Sequence, residues 1–173
     1  MRIFDRNRVE SYCGPTTVYH VVSRILPWVF FLSTVIALVA AWGHIPEQVP
    51  LQSDFQGNIT GWGNKTNLIW LAVVYLIINV TLLIVEFFPQ SWNTGLRVNV
   101  PGLIKKSGGV KNYRLTRDLL CDLRIGMSTL FSAALLWSAF GNGGKLGSAI
   151  GIAAVVLVLV PLVRYLARMY LFR

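Results

Sequence analysis

Four stretches of this chain are long and apolar enough to cross the hydrocarbon of a bilayer, which leaves little choice of fold. They run from Leu26 to Trp42 (LPWVFFLSTVIALVAAW, lengthened by Val21 and Val22), from Asn67 to Phe88, from about Leu119 to Phe140, and from Ser148 to about Tyr165. A transmembrane helix needs about 20 mostly apolar residues. In lipid each backbone N–H and C=O must be bonded within its own segment, so such runs fold as helices. Charged residues make up 13% of the chain and hydrophobic ones 54%, against about 25% charged in soluble domains. The expected fold is an all-α polytopic membrane bundle in a single domain, 1–173, with about four transmembrane helices at 22–42, 67–88, 119–140 and 148–166. The polar leader before the first run is long for a signal peptide and three more apolar runs follow, so the first run is expected to be retained. Pro27 is expected in the first turn of that helix, where a missing N–H is harmless. Pro89 is expected to stop the second helix. The breaker-rich turn Gly141–Gly147 makes the third and fourth an antiparallel pair.

Orientation follows from charge. All but two of the 16 Lys and Arg residues fall in the N-terminal segment, the stretch 89–124 or the C-terminus, the exceptions being Lys65 and Lys145. The positive-inside rule then predicts both termini and a basic loop, 89–118, in the cytoplasm, and a loop, 43–66, outside. The net charge of +9 is thereby explained by topology, and no nucleic-acid partner is expected. Cys13 and Cys121 fall on the cytoplasmic side and read as two free thiols.

Catalytic signatures are absent: the sequence has no H-E-x-x-H, G-x-S-x-G or Walker loop. No metal site and no cofactor are expected, and the chain reads as a non-enzyme. The intramembrane polar residues Asn79 and Glu86 are the sites to weigh. Glu86 reads as an interfacial carboxylate paired with an arginine such as Arg97 or Arg124, and Asn79, with Thr81, as glue to another helix. Gly147 and Gly151, in G-x-x-x-G spacing, read as a close-packing pair.

The outer loop, IPEQVPLQSDFQGNITGWGNK from Ile45 to Lys65, is the most informative segment. Pro46 and Pro50 each fix φ and are expected to exclude regular pairing. Phe55 and Trp62 give it apolar groups to fold onto the helix ends, so it is expected to form a compact cap. Ile45-Pro46, Val49-Pro50, Gly57 and Trp62-Gly63 with Lys65 resemble the domain of unknown function 1648 found in SdpI-like bacterial membrane proteins. Asn99 and Pro101, followed by Tyr113-Arg114-Leu115 and Arg117, extend the resemblance toward the third span. Gln52 stands where similar proteins often carry histidine.

The resemblance implies a bacterial cell-membrane protein of an immunity or signalling kind, in a shorter form than the six-span immunity proteins. It implies an outer loop (Pro46, Pro50, Gly57, Trp62, Gly63, Lys65) that recognises an extracellular ligand such as a secreted peptide toxin. It also implies a basic inner face (Tyr113, Arg114, Arg117) that meets a cytoplasmic partner; contact with anionic membrane lipids is the plainer use of that face. A small transporter using Asn79 and Glu86, or an accessory subunit bound to a membrane-protein partner, is the alternative. Oligomeric state is left open.

Overall fold

The structure, a computed structural model, describes residues 13–54, 56, 58–87, 109–141 and 145–171. In chain order these form α1 (Val18–Ala41), β1 (Gln48–Ser53), β2 (Ile59–Asn64), α2 (Asn67–Phe87), α3 (Gly109–Phe140) and α4 (Lys145–Leu171). Three of the four described helices, Val18–Ala41, Asn67–Phe87 and the Arg114–Phe140 part of α3, are long and apolar enough to cross a membrane. The 21 residues of α2 rise about 30 Å, the thickness of the hydrocarbon core.

The burial pattern is inverted relative to a soluble domain. Val39, Trp70, Ile77 and Val160 are among the more than half-exposed side chains, while Glu86, Asn79, Arg117, Arg124 and Ser128 are buried. Apolar residues on the outside and polar residues on the inside suit a bundle whose solvent is lipid, because only the interior offers hydrogen-bond partners.

Helix α1 begins earlier than the apolar run suggests. Thr17 caps it in a capping box whose fourth position is His20: the Thr17 N–H donates to His20 Nδ1 at 3.1 Å. This cap adds over two turns before Pro27, so that proline lies buried within the helix and not in its first turn. The turn before the cap passes through Gly14 at φ 77°, a conformation open to glycine.

Successive helices run antiparallel. Tyr75, near the middle of α2, is the main polar tie between them. Its hydroxyl bonds Ser128, lies 3.1 Å from Ser132, and is within 3.4 Å of the Pro27 carbonyl, while its ring stacks on Phe131 and meets Phe31 edge-on. Asn79, expected to reach another helix, instead donates to the Tyr75 carbonyl of its own helix at 3.2 Å. Thr81 is exposed.

Helices α3 and α4 close through Gly126. A Cβ there would sit 3.0 Å from the Leu157 carbonyl oxygen. Pro161 lies inside α4 and has no N–H to give the carbonyl four residues back, so Leu157 is the carbonyl it frees. The glycine lets α3 lie against that exposed oxygen, a contact no sequence motif announced. The surroundings of Gly147 and Gly151 lie outside the described residues.

The all-α expectation needs correction. β1 and β2 form a two-stranded antiparallel sheet with Gln48 opposite Asn64, Val49 opposite Gly63 and Pro50 opposite Trp62. Pro50 does not exclude pairing because both strands of a two-stranded sheet are edges, and the register shifts just after it, between Pro50 and Gln52. Gly63 makes room for its neighbours: a Cβ would lie 2.6 Å from Asn67 Nδ2 and inside the Leu51 side chain, both of which would have to shift. Asp54 closes the hairpin by accepting the N–H groups of Gln56 and Asn58 at 2.9 and 2.8 Å. Val49 is fully buried among Leu38, Ile45, Leu68 and Leu135, which roots the sheet in the top of the bundle.

Candidate functional site

The molecule has two polar ends of different construction. At the hairpin end, His44, Pro46, Pro50 and Trp62 face Ser138 and Phe140 of α3 across a cavity of about 550 Å³. The strand pairing sets Pro50 and Trp62 opposite one another. Pro50 is buried and Pro46 exposed, while Trp62 is 59% exposed although it is among the largest apolar side chains of the loop. Lys65 is not free: its Nζ lies 2.6 Å from Glu47 Oε1 and 5.7 Å from the centre of the Trp42 ring. Its own N–H donates to the Glu47 carbonyl at 2.9 Å, so it clasps the base of the hairpin. Phe55 and Gly57 lie outside the described residues. The expected outer-loop residues Pro46, Pro50 and Trp62 therefore share one cavity wall, while Gly63 and Lys65 hold the hairpin.

At the opposite end, where α1 and α3 start and α2 ends, the sequence placed less than the structure holds. Glu86 is 1% exposed. Its Oε1 accepts from Arg24 Nη2 at 2.8 Å and Nε at 3.0 Å, and from Arg117 Nε at 3.4 Å. Arg124 Nη1 lies 3.9 Å from Oε2. One carboxylate thus serves three guanidiniums. Arg97, one of the partners expected for it, lies outside the described residues.

Arg117 does not belong to an exposed basic face. It is 0% exposed, points at Glu86, and also donates to Thr16 Oγ1 at 3.3 Å. The cause is helix geometry: α3 starts at Gly109, ten residues before the expected span, and Arg117 and Arg124, seven apart, then lie on one inward face. Arg114 is exposed, and the Tyr113 side chain lies outside the described residues. A buried guanidinium this far inside costs several kcal/mol unless paired, so Glu86 is the group that makes the inward face possible.

His20 adds a second bonded pair. Its Nδ1 accepts the Thr17 backbone N–H, which can only donate, so Nε2 carries the hydrogen and donates to Asp118 Oδ1 at 2.9 Å. Tyr19 donates to Asp122 one turn further along α3. The signal that could have found this seam is the i, i+4 spacing of Asp118 and Asp122, which sets both acids on one face of α3. Cys13 is buried beside it; burial pushes its thiol up to about 11, against the opposing pull of Arg117. Among the described residues no group of His, Cys, Asp or Glu is placed to hold a metal ion.

Residues 29–77 match the family described as Domain of unknown function (DUF1648). The matched segment opens inside α1, contains the whole β1–β2 hairpin, and closes inside α2 just past Tyr75. It covers under a third of the chain and includes none of Arg24, Glu86, Arg117 and Arg124. No curated protein matches the chain. No solved structure matches it.

Proposed function

We propose that this chain is a non-enzymatic, four-span protein of a bacterial cell membrane whose hairpin end recognises a ligand outside the cell. In this reading α4 is the fourth span, the hairpin faces outward, and both termini with the arginine-rich end face the cytoplasm. The charge distribution supports that orientation. The ligand class is an apolar segment of a secreted peptide, in keeping with the SdpI-like immunity and signalling proteins that the loop resembles.

The observation that carries this reading is Trp62, 59% exposed on the β1–β2 hairpin and lining a cavity beside α3. Aromatic anchors beside a pocket dominate recognition energies, and a hairpin rooted by Val49 loses little freedom when it binds. The rival reading, transport along Asn79 and Glu86, has weaker support: Glu86 is held by three guanidiniums and lines none of the described cavities.

The test is survival of a peptide-sensitive bacterium that expresses the chain and is challenged with peptides secreted by the source strain. Protection is expected, and Trp62→Ala is expected to abolish it with the protein still in the membrane. Protection unchanged by Trp62→Ala would sink the role of the hairpin.

A further inference from the structure

A separate cavity of about 350 Å³ opens at the charged end between the start of α1, the first turns of α3 and the last turns of α4. Its cations are Arg114 on α3 and Arg164 and Arg168, four apart on α4. All three are exposed, and among the described residues none of them is paired with an acid. The two acids in the wall are already engaged, Asp118 by His20 and Asp122 by Tyr19. The wall thus sets three guanidiniums from two helices against two carboxylates that His20 and Tyr19 already hold by hydrogen bonds, which leaves it with an excess of cations and with unpaired guanidinium donors for the oxygens of a phosphate group.

The rest of the wall identifies the source of that phosphate. Leu119 and Pro161 form an apolar floor, and the adjoining face of α4 carries Val156, Val160 and Val163, each half-exposed or more. A soluble phosphate ester has no use for such a strip, whereas an acyl chain does. We propose that this cavity binds the phosphate headgroup of an anionic phospholipid, with the acyl chains lying along α4. Basic pockets between helices at the membrane surface recognise such headgroups by charge and hydrogen bonding. The site is independent of the hairpin and stands whether or not the hairpin binds a peptide.

Native mass spectrometry of the full chain in mild detergent tests it, with phosphatidylglycerol, phosphatidylcholine and soluble glycerol phosphate as three arms. The expected result is retention of phosphatidylglycerol at least tenfold above phosphatidylcholine, with no displacement by glycerol phosphate. The double variant Arg164→Gln/Arg168→Gln should bring the two lipids to near-equal retention, a fall of about tenfold, and Arg114→Gln should act in the same direction from the other helix. Arg164→Lys/Arg168→Lys, which keeps the charge, should retain most of it and guards against a folding artefact. Equal retention of the two lipids, or an unchanged preference in the double glutamine variant, overturns the proposal. Displacement by glycerol phosphate at matching concentration also overturns it, by assigning the cavity to a soluble phosphate.

Discussion

The two ends of this bundle finish their helices with opposite materials. At the hairpin end the fold is held by shape: Val49 is sunk among apolar side chains, Gly63 lets Asn67 pack close, and the one described ion pair, Lys65 with Glu47, is at the surface. At the charged end it is held by a buried carboxylate and three guanidiniums. The difference teaches where function can reside. Side chains at the hairpin end, Trp62 above all, are free to meet a partner because the fold does not lean on them. Arg117 and Arg124 are committed to the interior, which makes them poor candidates for partner binding despite their charge.

That contrast can be broken most sharply at Glu86. Glu86→Ala leaves three guanidiniums without their acid and should cost about 3–5 kcal/mol, read as loss of folded protein or a large fall in melting temperature in detergent. A variant that melts like the parent would mean that the charged end is not held by this group.

The next largest effect concerns Cys13. Because its thiol is pushed up to about 11 from 9.0, its thiolate fraction at pH 7.5 should be about 100-fold below that of an ordinary exposed cysteine. Maleimide labelling should therefore be slow at Cys13 and fast at a cysteine placed by Thr60→Cys on the hairpin. The sign of the linkage is fixed too. The folded thiol keeps its proton where the unfolded one has lost it, so this contribution is intact below pH 9 and fades as pH rises toward 11. Equal labelling rates at the two positions would erase the proposed difference in packing.

Smaller changes sharpen the comparison. Gly126→Ala sets a methyl 3.0 Å from the Leu157 carbonyl and should cost about 1 kcal/mol by overpacking, seen as a modest drop in melting temperature. Trp62→Ala should change stability by less than about 0.5 kcal/mol, as exposed substitutions do, while abolishing recognition. A large stability loss on Trp62→Ala would make the hairpin a structural clasp instead of a reader.

How much of this was legible in the sequence depends on the range of the interaction. The apolar runs were legible because lipid imposes its demand on each helix separately: the three that satisfy it overlap the predicted spans. The cavity wall of Pro46, Pro50 and Trp62 was also legible in outline, since all three lie in one short loop. The sheet was not, because Pro50 argues against pairing in general and only the two-stranded, bulged setting removes the objection. Least legible was the arginine cluster. Arg24 and Glu86 are 62 residues apart and Arg124 binds the Arg24 carbonyl across 100. No local pattern says that Arg117 turns inward while Arg114 turns out, beyond the seven-residue spacing from Arg117 to Arg124. Asn79 shows the converse error: a polar residue in the middle of a span invites an inter-helix reading, yet the tie to the other helices is made by Tyr75, one turn earlier.

The cluster around Glu86 has a consequence for how the chain is made. Synthesis runs from the N-terminus, and domains assemble as they emerge. Arg24 emerges first, and the acid it pairs with, Glu86, follows on α2 after the hairpin; Arg117 and Arg124 come last. Among the described residues Glu86 is the acid of the cluster, and it lies between the cations in order of birth, so the first two helices can settle their charges as a pair before α3 exists. When α3 arrives, its two arginines dock on a carboxylate already in place, and its register against α1 and α2 is set by that anchor.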